Sequence, residues 1–190
     1  DDAHLPTPIS WYCPDGPQQR RSMMVKMGLP ASKLIAPCNG VRFKQLSAGG
    51  EHSLALSNDG VVYAWGCPWE GRLGRPPPYE FVAVPTRVPL EPTCVRVSAG
   101  EFSSLALTAD GDVYSWGQCG TGFDKQRTTP TLIKSLAPAT LGSAVVGIYC
   151  GSEAEHSIVI TADGRAFKLD AKGSCDPVQL NGKAVEAAVG

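Results

Sequence analysis

Two histidine–serine pairs, His52-Ser53 and His156-Ser157, stand out first, because an imidazole beside a hydroxyl, with Asp59 or Asp163 as third member, is the raw material of nucleophilic catalysis. The spacing argues against it. Neighbouring residues on a strand point to opposite faces, and each Asp lies across a turn from its pair. Seven cysteines could supply a metal site or a disulfide framework, yet no Cys-x-x-Cys occurs. Their spacing follows a repeat instead, with Cys13, Cys67, Cys119 and Cys175 in one slot and Cys38, Cys94 and Cys150 in another, which predicts packed thiols in a reducing, intracellular setting. Gly66, Gly71 and Gly74 lack the Lys-Ser or Lys-Thr of a phosphate cradle, and Asp110-Gly111-Asp112 is too short for a calcium loop. Pro76-Pro77-Pro78-Tyr79 matches the Pro-Pro-x-Tyr pattern that WW domains read, while a stiff loop joining two strands accounts for the same residues. No cofactor is expected, and no catalytic constellation.

The elements that must hold these residues repeat. Ser47 to Gly66 reads SAGGEHSLALSNDGVVYAWG and Ser98 to Gly117 reads SAGEFSSLALTADGDVYSWG, identical at 13 of 20 positions. A third copy, Tyr149 to Asp170, is degenerate: Trp65-Gly66 and Trp116-Gly117 become Leu169-Asp170. In each unit a strand precedes the Gly loop (Val41 to Leu46, Cys94 to Val97, Val145 to Tyr149), and two alternating strands flank a tight Asp-Gly turn. A proline then opens a short outer strand at Pro85, Pro130 and Pro177. Four strands in a unit of about 51 to 56 residues is the arithmetic of a propeller blade. The predicted fold is all-β, a partial β-propeller of four-stranded antiparallel blades. Residues 1–40 are read as the end of a preceding repeat with a proline-interrupted segment, 41–92, 93–143 and 144–184 as successive repeats, and 185–190 as the start of another.

Glycine and proline number 21 and 16 of 190 residues, well above average usage, which fits turns and short strands rather than long helices. A formal net charge of -1 argues against nucleic-acid binding by bulk electrostatics. No apolar run is long enough to span a bilayer.

The stretch AGGEHSLALSNDGVVYAWG, followed by Gly71-Arg72-Leu73-Gly74, resembles the repeat of the regulator of chromosome condensation family. The resemblance implies a seven-bladed propeller whose sequence repeats straddle neighbouring blades, with the remaining blades supplied from outside this stretch. It implies a non-catalytic module that docks a protein partner through loops on one face of the disc, which nominates Glu51, His52, Phe102, Glu155 and His156 as contacts. Guanine-nucleotide exchange on a small GTPase and substrate recruitment for a HECT-type ubiquitin ligase are the alternatives it carries. His52 itself is expected to bond the backbone of the Gly loop.

Overall fold

A computed structural model describes residues 40–118, 127–151, 156–170 and 175–187. Cys13, Cys38, Cys119 and Glu155 lie outside these residues. Among the described residues, twelve strands form three sheets. The first blade is β1 (Phe43–Ala48), β2 (His52–Ser57), β3 (Val62–Gly66) and β4 (Val82–Arg87). The second is β5 (Cys94–Ala99), β6 (Ser103–Thr108), β7 (Val113–Gly117) and β8 (Arg127–Leu132); the third is β9 (Val145–Cys150), β10 (His156–Thr161), β11 (Ala166–Asp170) and β12 (Cys175–Val178). Each sheet keeps chain order, antiparallel throughout. The fold is an arc of three propeller blades.

Strand periodicity explains the stacking. In β6, Leu105 and Leu107 face the third blade while Ala106 faces the first, so one strand feeds two cores. The first strands are stitched directly across blades. Gln45 exchanges two hydrogen bonds with the Val97 backbone, at 2.9 and 3.0 Å, and Ala99 N donates to Ser47 Oγ at 2.9 Å. The stitch recurs one blade on, where Cys150 N donates to Ser98 Oγ at 2.9 Å.

Two details differ from the expectation. The Asp-Gly turn is wider than a two-residue hairpin: Gly60 N donates to Ser57 O at 3.0 Å and Ser57 N to Val61 O at 2.9 Å. Asp59 therefore keeps ordinary dihedrals and only Gly60 takes the left-handed conformation, at φ 81°. The prolines also sit inside the fourth strand rather than at its start. Pro85 and Pro130 fall where the pairing of β3 with β4, and of β7 with β8, shifts register, so no ladder donor is required of them.

The topology sorts the loops by end. The β2–β3 and β6–β7 hairpins and the blade-to-blade connections occupy one end of the blades. The β1–β2, β3–β4 and β5–β6 loops occupy the other, which is the end holding Glu51, Phe102 and the Pro76 to Tyr79 stretch.

Candidate functional site

The loop end of the first two blades is organised around a residue that the repeat pattern alone does not flag. Arg72 follows the 3-10 turn Trp69–Gly71 and is buried, with its side chain 2% exposed. Taking a guanidinium out of water is costly unless its donors are paired. They are. Nε donates to the Trp69 carbonyl at 2.9 Å, and Nη1 to Glu51 Oε2 at 3.2 Å and the Glu101 carbonyl at 3.4 Å; Nη2 pairs with Glu70 Oε2. Its Cζ lies 4.9 Å from the centre of the Phe102 ring, a cation–π contact.

Across the seam the second blade answers. Trp116 Nε1 and Ser104 Oγ both donate to the Arg72 carbonyl, each at 2.9 Å. Since the Ser104 hydroxyl proton is committed there, Ser104 Oγ accepts from His52 Nε2 at 2.8 Å. This assigns His52 as the Nε2–H tautomer and leaves Nδ1 as a buried atom without a hydrogen bond. Burial, with the Arg72 charge nearby, pushes the His52 pKa down to about 3. The imidazole is thus neutral, fully buried, and turned to Ser104 of the next blade rather than to the Gly-loop backbone as expected.

Gly66 and Gly117 make the close approach possible. At φ 111° and 83° they bring the chain so near the preceding loop that a Cβ would lie 2.5 Å from the Glu51 carbonyl oxygen and 2.2 Å from that of Phe102. The glycine of each Trp-Gly pair thus lets the end of β3 and of β7 pass close against the Gly loop of its own blade.

Of the nominated contacts, Glu51 is a quarter exposed and Phe102 is exposed at 38%, both within the Arg72 cluster. His52 is internal; His156, the same slot of the third blade, is half-buried at the start of β10. Trp116 is fully buried as core, while Trp65 is only half-buried. Trp69, which sequence reading left aside, is the conspicuous one: 56% exposed, with its ring edge to face against Tyr79 at 5.9 Å. Pro76, Pro77 and Pro78 lie exposed beside it in the β3–β4 connection. A small cleft of about 160 Å³ opens there, lined by Pro68, Leu73, Pro78 and Tyr79 among others.

The described cysteines Cys67, Cys94, Cys150 and Cys175 are thiols rather than disulfides. Burial pushes Cys67 and Cys94 up to about 11, so neither offers a thiolate near neutrality. Among the described residues no group of three His, Cys, Asp or Glu is placed to hold a metal ion, and no helix is long and apolar enough to cross a membrane.

Comparison with known proteins agrees with this architecture. The model of the regulator of chromosome condensation (RCC1) repeat matches residues 59–107 and 110–160, and a second model of the same repeat matches 43–68. The match to 59–107 starts in one β-hairpin and ends in β6, so it covers the outer half of one blade and the inner half of the next. The chain is 36% identical over 126 residues to the human regulator of chromosome condensation, covering 66% of this chain and 30% of that protein. It is 35% identical over 164 residues to human HERC3, a probable E3 ubiquitin-protein ligase, covering 80% of this chain and 15% of that protein. Among solved structures it resembles human WBSCR16, with a TM-score of 0.68 at 22% identity, over 79% of this chain and 43% of that one. It also resembles Prp20p of Saccharomyces cerevisiae, whose binding to Gsp1p and histones has been described, with a TM-score of 0.54 at 30% identity, over 62% of this chain and 31% of that one. The chain spans less than a third of the length of these two curated relatives.

Proposed function

Because the chain belongs to the regulator of chromosome condensation repeat family, we propose that it is a non-catalytic protein-binding propeller segment that meets its partner with the loop end of its blades. The observation that carries this reading is the exposure of Trp69 and Phe102 at that end, both tied to buried Arg72. Large aromatics held on a rigid support lose little entropy on docking and are the residues that most often dominate binding energy. Glu51 borders them, and His156 at the start of β10 extends the same contact surface to the third blade. The prolines of the Pro76-Pro77-Pro78-Tyr79 stretch offer a WW domain a further contact there. Unchanged capture of a WW-containing partner by Tyr79→Ala would remove that part.

The finer form of the reading is exchange on a small GTPase, as the likeness to Prp20p suggests. Such exchange needs no acid or base, only tighter binding to the nucleotide-free partner. The likeness to HERC3 favours substrate recruitment for a ligase instead. Release of a fluorescent GDP analogue from a Ran-type GTPase, accelerated by the full-length protein, separates the two.

The docking face is tested by a photo-crosslinking amino acid placed at position 69 or 102 of the full-length protein, with position 110 in the opposite hairpin as control. Crosslinks to a common protein from 69 and 102 but not from 110 are expected. Crosslinks confined to 110 would overturn the reading.

A further inference from the structure

The charge around the exposed aromatics specifies what they can hold. The carboxylates of Glu51 and Glu70, with the backbone carbonyl of Glu101, converge on one guanidinium, that of Arg72. That guanidinium is sealed inside, whereas the side chains of Glu51 and Glu70 are 25% and 28% exposed. Solvent therefore meets carboxylate edges and aromatic rings, not the cation. Among the described residues the other arginines of this end are directed elsewhere: Arg75 Nη2 donates to the Arg87 carbonyl at 2.6 Å, and Arg127 Nη1 to Ser115 Oγ at 3.3 Å. The carboxylates are also held in place. Glu70 sits at φ 57°, in the left-handed region that non-glycine residues rarely adopt, and its pairing with Arg72 offsets that strain.

We propose that the loop end of the first two blades binds a lysine- or arginine-bearing segment of the partner, with the cation between the carboxylates of Glu51 and Glu70 and its aliphatic stem against Trp69 and Phe102. The proposal rests on the loop end being the docking face. Aromatic rings attract cations through the negative charge of their faces, and nearby carboxylates add a Coulombic attraction. An acidic segment would meet repulsion here, and a purely apolar one would have to cover carboxylates without pairing them.

The test uses the full chain and two fluorescein-labelled probes, hexalysine and hexaglutamate, read by anisotropy. Hexalysine is expected to bind at least about tenfold more tightly than hexaglutamate, and to weaken as salt rises. Trp69→Ala and Glu51→Gln should each weaken it by about threefold to tenfold. Asp110→Asn, at the opposite end, should leave it unchanged. Equal binding of the two probes, or an equal loss from Asp110→Asn and Glu51→Gln, overturns the proposal. If position 69 still crosslinks a partner while the probes bind alike, the docking face stands and its basic occupant falls. If the crosslinks move to position 110, both fall.

Discussion

The seam between the first and second blades is clasped by a buried cation, whereas the seam between the second and third is, among the described residues, closed mainly by hydrocarbon. In the first, Trp116 reaches across to the Arg72 carbonyl, and His52, Ser104 and the Arg72 side chain complete a polar network over a core of Leu54, Leu56, Leu73 and Val88. In the second, Leu105, Leu107, Leu136, Ile148, Phe167 and Leu169 fill the space. Leu169 pairs with Ser157 as Trp116 pairs with Ser104, so it stands in the tryptophan slot. A leucine there has no donor to offer, so it closes its seam by packing. The motif tryptophan therefore has two separable roles, filling the seam and tethering the loop from which Arg72 and Trp69 emerge.

The comparison breaks most sharply at Arg72. Arg72→Met would strip the guanidinium from between Glu51 and Glu70, and removing one partner of a buried pair costs about 3 kcal/mol, the low figure applying because both carboxylates are partly exposed. Denaturant unfolding should show that loss. Fluorescence of Trp69, in a chain with Trp11 and Trp65 replaced by Phe, should show the rim loosened as well. A cost below about 1 kcal/mol would mean that hydrocarbon closes both seams alike.

Trp116→Leu copies the third blade into the second. It should cost about 2 kcal/mol, from the volume lost and the hydrogen bond to the Arg72 carbonyl. The rim should suffer more than the core, so amide exchange in the β3–β4 connection is expected to rise further than in β6. Uniform exchange changes would deny the tether role.

The fold was legible because its signals are local and repeated: alternation in Leu54 and Leu56, the Asp59-Gly60 turn, and the 51-residue echo of both. The rim was half legible. Glu51 and Phe102 occupy one slot of the repeat, and the topology does put that slot on the loop end. His52, one residue on, looked equivalent and is internal, because strand alternation turns it into the seam, where its partner Ser104 lies 52 residues away. No local pattern encodes a pairing at that distance. Arg72 and Trp69 were missed for the reverse reason. They stand between glycines in a connection, where composition suggests solvent, and only the close approach that Gly66 permits turns one inward and leaves the other out.

The smallest effect at neutral pH is expected from His52→Ser, which copies Ser103 of the second blade and removes a buried nitrogen without a partner. The change should be within about 1 kcal/mol at pH 8. Its signature is in acid. Native His52 is held near 3, against 6.5 for the unfolded chain. Below pH 6.5 the unfolded state takes up a proton that the native state refuses, so the wild type loses stability as pH falls from 6.5 toward 3, by up to about 1.4 kcal/mol per pH unit. A second proton on His52 would go to Nδ1, which faces no acceptor, beside the Arg72 charge. The serine variant lacks this term, so its stability curve should run flatter and, starting up to about 1 kcal/mol lower, cross that of the wild type at about pH 6. Parallel curves would show that His52 titrates in the native state as it does in water, and that the clasped seam is wet rather than sealed.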